Sequence, residues 1–144
     1  MSDRVLEIER LIAAPPERVF ELWTEPELVV RWWGPEGFDT PASSLDLREG
    51  GQWRTTMRSP EGKLMTVSGA YRKIEPPRLL SFTWGWEDEA GMRGHETLVT
   101  VRLDATPGGT KLRLRQETFQ TKEACDQHTH GWASALNRLE KQAE

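Results

Sequence analysis

Cys125 and His128 stand three residues apart in a segment of helical period, and His130 follows two residues later. Thiol and imidazole can ligate metals, and at suitable pKa they serve as nucleophile and base. Their phase decides what they can do together. At about 100° per residue, Cys125 and His128 fall within about 40° of Trp132, while His130 points to the opposite side. A closed zinc site takes four ligands. This chain has one cysteine and three histidines, and only Cys125 and His128 share the inward face, so no metal is expected. Cys125 reads as a small apolar residue against a sheet.

His128 keeps two readings. An imidazole facing the interior can bond a ligand or act as general acid or base. It can equally be a satisfied side chain near the wetter end of a helix. His95 borders an acidic loop, at a pocket mouth or simply in solvent. Asp46 and Arg48 share strand parity before Glu49 and a Gly-Gly pair, and they suit a surface ion pair of little energetic weight. No Ser-His-Asp order, phosphate loop or paired-carboxylate motif stands out. The glycines fall at turns and not in the dinucleotide-binding pattern, so no cofactor is expected.

The chain also holds seven tryptophans against one tyrosine and four phenylalanines. Indole is large, rigid and apolar except for one N–H donor. Such residues either fill a core or wall a cavity for an apolar or planar guest.

The elements that must position them follow from periodicity. Leu6 and Ile8, running into Ile12, predict a first strand of about eight residues. Pro15-Pro16-Glu17 opens a helix with Val19, Phe20, Leu22 and Trp23 on its apolar face. Thr24, with Glu27 three residues on, has the form of a capping box for a second short helix. That helix buries Leu28, Val29, Trp32 and Trp33 and stops at Gly34-Pro35. One of the two adjacent indoles is expected to pack at the open end of a sheet, the other to face a pocket entrance.

From about residue 38 the period becomes two. Strands are expected over Ser43 to Leu47, across Trp53, Thr55 and Met57, and from Leu64 to Ile74. Further strands follow across Leu80 to Trp86, Leu98 to Leu103, and Lys111 to Thr118. Turns fall at Gly50-Gly51, residues 59–62, Pro76-Pro77 and residues 106–109, with an exposed loop over 87–94. The last segment, Lys122 to Gln142, has one apolar stripe, interrupted by Thr129 and His128.

The fold class is therefore α+β: a curved antiparallel sheet of about six to seven strands, wrapped around a long C-terminal helix. Two short helices follow the first strand. A sheet with one apolar face needs a cover, and the long helix is the element able to supply it.

The length fits one domain over residues 1–144. A net charge of −4 without a basic block argues against nucleic acid as a partner, and no apolar run is long enough to span a membrane. The alternating N-terminus is unlike a signal segment. With a single cysteine, internal disulfides are excluded and a cytoplasmic setting is expected.

In its ordered marks the chain resembles the START-like, helix-grip (SRPBCC) superfamily. Within it, the chain is most similar to bacterial proteins like the C-terminal domain of the activator of heat-shock-protein ATPase. The marks are residues 15–20, Arg31-Trp32-Trp33-Gly34-Pro35, residues 46–53, Gly69-Ala70-Tyr71 with Pro76-Pro77, and Gly131-Trp132 with Leu136 and Leu139. The resemblance implies a helix-grip fold. Members of the superfamily bind lipids, hormones and polyketides, and some catalyse cyclisation. The eukaryotic activator carries a separate N-terminal domain besides the one resembled here, so chaperone binding is not carried over as the main expectation.

Three functions are weighed. The first is a binding protein whose apolar, aromatic-lined cavity lies between sheet and C-terminal helix and takes a small lipid-like or aromatic molecule. Its lining is expected from Trp53, Thr55, Met57, Tyr71, Phe82, Trp84, Gln116, His128 and Trp132, with Trp86 half exposed at the strand's end. Gly69 shares the inward face. Small and polar groups there suggest space, because a solid core would use Leu, Ile or Val. The second function is a cyclase or hydrolase using His128 as acid–base, which requires a carboxylate to orient the imidazole. The third is a chaperone-interaction or regulatory module, which requires a contiguous exposed apolar patch. Oligomeric state is left open, a homodimer included.

Overall fold

The computed structural model describes residues 4–143; residues 1–3, the start of the alternating N-terminal stretch, and residue 144 lie outside the described residues. Seven strands form one antiparallel sheet. They are β1 (Leu6–Ile12), β2 (Asp39–Leu45), β3 (Gln52–Arg58), β4 (Leu64–Glu75), β5 (Leu79–Trp86), β6 (Thr97–Thr106) and β7 (Gly109–Glu117). The spatial order is β1-β7-β6-β5-β4-β3-β2. From β2 onward each strand pairs with its successor, as short turns dictate. β1 closes the far edge by pairing with β7, from Leu6↔Gln116 to Ile12↔Thr110. Two short helices, α1 (Pro16–Thr24) and α2 (Pro26–Val29), carry the chain from one edge of the sheet to the other. The curved sheet grips α3 (Lys122–Ala143), as a helix-grip fold requires.

α3 begins where Thr121 Oγ1 accepts the Ala124 N–H at 3.0 Å, a side-chain cap for an otherwise unpaired donor. Its stripe buries Cys125, Trp132, Ala135, Leu136 and Leu139 against the sheet. Thr129 does not disturb this stripe, because its hydroxyl donates to Cys125 O at 2.8 Å, within the helix. Arg10 of β1 pins the outer side of α3 by bonding Asn137 Oδ1 at 2.7 Å, Glu140 Oε2 at 2.8 Å and Ala133 O at 3.1 Å.

Two local expectations are corrected. Thr24 does not cap α2. It ends α1, and its hydroxyl donates to Phe20 O at 2.9 Å. Residue Glu25 precedes α2 without a side-chain cap bond, and Pro26 opens the helix, where its missing N–H costs nothing. β2 also starts earlier than expected, at Asp39, and passes through Pro41. Proline is tolerated there because β2 is an edge strand, and its register against β3 shifts between Asp39 and Ala42.

Candidate functional site

The inward face of the sheet carries aromatic residues from end to end, but the space above it is divided. Near β5 and the middle of α3 lies a recess of about 370 Å³. Its sheet wall is Met57, Met65, Trp84 and Trp86; its helix wall is Gln127, His128, Gly131, Trp132 and Ala135. The segment after α2 closes the third side with Trp33, Gly34, Pro35 and Phe38. At the other end, Trp53, Thr55, Tyr71 and Phe82 surround only about 10 Å³ beneath Trp23, Val29 and Trp33, room for about one water.

The expected lining residues therefore separate. Met57, Trp84, His128 and Trp132 stand together on the recess. Trp53, Thr55, Tyr71 and Phe82 lie in the packed half. Gln116 is fully buried away from both: its Nε2 donates to Thr97 Oγ1 at 2.8 Å, and its Oε1 accepts from Trp132 Nε1 at 2.7 Å. The small and polar inward residues are satisfied by the protein itself. The Thr55 hydroxyl bonds that of Ser43 at 3.0 Å, and Trp53 Nε1 donates to Thr83 O at 3.0 Å. Gly69 marks close backbone approach, because a Cβ there would stand 1.9 Å from Thr83 O. Burial pushes the Tyr71 phenol well above its ordinary pKa, so it stays neutral.

The two adjacent indoles divide their labour, both standing just after α2, which ends at Val29 and not at Gly34-Pro35 as expected. Trp32 is fully buried and donates to Leu22 O at 2.7 Å, whereas Trp33 walls the recess and stacks on Trp84 at 5.6 Å. Trp84 also meets Trp132 at 5.2 Å and Trp86 at 5.7 Å, edge to face. Among the described residues, the Trp84 indole N–H is buried without an acceptor, a cost that calls for explanation.

His128 has both ring nitrogens engaged. Nδ1 lies 2.7 Å from Ala124 O, so it must carry the proton. Nε2 is then the acceptor, and it receives the Trp86 Nε1–H at 3.0 Å. Burial against Phe119, Trp84 and Trp86 holds the imidazole pKa below its ordinary value, partly opposed by the Ala124 bond. As placed, His128 is a neutral acceptor whose lone pair is spent on an indole. It cannot take a substrate proton until Trp86 moves away.

The segment after α2 is held by α3. Arg138 donates to the carbonyls of Trp33 (2.9 Å), Gly34 (3.0 Å), Arg31 (3.2 Å) and Pro35 (3.3 Å), while Ser134 Oγ accepts the Glu36 N–H at 2.8 Å. Gly34 takes φ +88°, a left-handed turn suited to glycine. Arg138 was not foreseen from the sequence; a cation near a helix C-terminus is too common to mark a clamp on carbonyls of a distant segment.

Elsewhere the remaining candidates are structural. His95 Nε2 meets Thr118 O at 2.6 Å at the β7–α3 connection, and His130 is exposed. Arg48 bonds Asp46 at 2.9 Å on the surface. Among the described residues, no three His, Cys, Asp or Glu side chains gather as a metal site, and no helix is long and apolar enough to cross a membrane.

Comparison with known proteins agrees with this architecture. The AHSA1 protein of Silicibacter pomeroyi is 34% identical, with 96% of each chain covered and a TM-score of 0.86. A protein of Chromobacterium violaceum is 26% identical over 98% of this chain and 97% of its own, with a TM-score of 0.88. The AHSA1-like protein of Aeromonas hydrophila is 25% identical over 96% of this chain and 90% of its own, with a TM-score of 0.80. A search of curated proteins returned no match. The model of the family described as "Activator of Hsp90 ATPase homolog 1-like protein" matches residues 13–144, and the chain belongs to that family.

Proposed function

We propose that the chain works as one START-like domain that binds a small, uncharged, apolar or aromatic molecule in the recess between β5 and α3. The observation that supports this most is the wall itself. Four indoles, two methionines and a phenylalanine border about 370 Å³, and no side chain on the wall is charged. That volume is at the lower end of small-molecule sites, which run from about 300 to 1,000 Å³. It suits a compact ring system better than a long acyl chain. An anion would lose its hydration there without gaining a counter-charge. The unpartnered Trp84 N–H supports the same reading, because a ligand acceptor reaching it after a small ring shift would satisfy it. A cytoplasmic setting fits a chain with a single cysteine.

The cyclase or hydrolase reading has less support, since His128 accepts from Trp86 and no carboxylate among the described residues orients it. Chaperone docking rests on the family description. Of the exposed large apolar side chains, Leu11 and Leu47 stand toward opposite edges of the sheet, Leu64 starts β4 and Met92 lies in the β5–β6 loop.

The test is a titration of intrinsic tryptophan fluorescence with uncharged ring compounds, repeated in Gly131→Leu. A Cβ at Gly131 meets nothing within 4 Å, so the leucine projects into free space beside the wall. Saturable quenching in the natural chain, lost in the folded variant, is the expected result. Quenching that is equal in both, or no response to any compound, would overturn the proposal.

A further inference from the structure

Besides Gln127 and the Trp84 indole N–H, the recess presents a hydrogen-bonded pair, Trp86 and His128, and the geometry of that pair points to a chemical feature of the guest. The pair joins the end of β5 to α3 through a single hydrogen bond of 3.0 Å, from Trp86 Nε1 to His128 Nε2. Both side chains are half-buried and both line the recess. His128 is held from behind by its Nδ1–H on Ala124 O, which fixes the tautomer and leaves Nε2 as a pure acceptor. Trp86 has its backbone held by Val67 and Gly94, while its side chain is only half-buried and borders the open recess, so movement falls to the indole ring. The pair thus presents a donor and an acceptor that satisfy each other.

We infer that the guest carries a hydroxyl that enters this pair, donating to His128 Nε2 and accepting from Trp86 Nε1–H. This rests on the pocket reading above and names the polar group that the pocket selects. The exchange balances. One hydrogen bond is broken and two are formed, and neither ring nitrogen is left unpaired. With bonds of ordinary length, the two nitrogens must part to about 4.5 Å, a swing of the half-buried indole into the recess that it borders. An ether or ketone can accept from Trp86 but cannot donate, so it strands the imidazole lone pair, and an unmade buried bond is costly. A carboxylate offers only acceptors and brings a charge into an uncharged wall.

The experiment compares three ligands of one ring size on the full chain: 2-naphthol, 2-methoxynaphthalene and 2-naphthoate. The naphthol is expected to bind about tenfold more tightly than the methoxy compound, and the naphthoate more weakly than both. In Trp86→Phe and in His128→Phe, the naphthol should fall to within about twofold of the methoxy compound measured in the same variant. The Trp86 indole N–H resonance should shift on naphthol binding and remain protected from exchange. Equal binding of naphthol and methoxynaphthalene, or a preference that survives in both variants, would overturn this inference and leave the pocket reading standing. Tightest binding by the naphthoate would overturn it as well. Failure of all three to bind would remove it together with the pocket reading.

Discussion

Two ends of one sheet face carry nearly the same kinds of side chain, yet one is filled and the other is open. Trp53, Tyr71 and Phe82 lie beneath Trp23, Val29 and Trp33 with room for about one water. Two residues along β5, Trp84 and Trp86 border a recess of about 370 Å³. The strands do not make the difference; the cover does. α1 and α2 lay large side chains over the first end, whereas α3 presents Gly131 and Ala135 over the second. Space in this fold is set by what the helices withhold, and indole alone does not mark a pocket wall.

The comparison breaks most visibly under truncation. Phe82→Ala in the packed half should lower unfolding free energy by about 3–5 kcal/mol, because a tight site cannot collapse around the void. Met65→Ala, on the recess wall, already lacks partner atoms on one side and should cost less than about 1.5 kcal/mol. Urea unfolding of the two variants measures the gap. Similar losses would mean that the two ends are packed alike.

Arg138 is the next lever, since it holds the third wall. Arg138→Met removes bonds to the carbonyls of Arg31, Trp33, Gly34 and Pro35 and should cost about 1–3 kcal/mol. Hydrogen exchange should quicken over residues 33–38 while the β6–β7 ladder is unchanged. Uniform quickening would make Arg138 a general stabiliser and not a clamp on the recess.

The sequence carried the architecture further than the site. Alternation along Leu80, Phe82, Trp84 and Trp86 placed all four side chains on one face, and the stripe on α3 followed from its 3.6-residue period. Parity could not say which inward side chains meet a cover. Gln116 looked like pocket polarity because a lone buried amide implies a ligand or water. Its partners, Thr97 and Trp132, come from elements that only the register brings together. Gly69 looked like vacancy and is instead contact with Thr83. The useful signal was Gly131 with Ala135, two small residues one turn apart beside Trp132 on a helix that buries Leu136 and Leu139 just beyond them. Met65 was also readable, since it shares parity with Val67 and Gly69.

Gly131 yields a smaller but sharper effect. In a helix interior, glycine costs about 0.5–1 kcal/mol relative to alanine, and a Cβ there meets nothing within 4 Å. Gly131→Ala should therefore stabilise the fold by about that amount. A helix residue that gains stability when changed is one retained for another reason, here the open space. Loss of stability in Gly131→Ala would show that the glycine serves backbone packing and that the opening is incidental.

The smallest effect is the titration of His128, and its sign is fixed by the burial of the ring. Burial lowers its pKa in the folded chain below the ordinary value of 6.5, so the unfolded chain takes up the proton first. The neutral ring's contribution to stability is fully present above about pH 6.5 and is lost as pH falls through the folded pKa. Protonation sets an Nε2–H against the Trp86 N–H, two donors facing each other, so the same window should release the indole. His128→Asn keeps a polar side chain but does not titrate. Subtracting its pH–stability curve from that of the natural chain removes the carboxylates, among them Glu87 and Asp39, whose pKa values are lowered by Arg54 and Arg58 and which protonate further down. A difference curve falling on the acid side of about pH 6.5, with a matching shift of the Trp86 indole resonance, is expected. A flat curve would mean that the recess end is held by its aromatic contacts alone, as the packed end is.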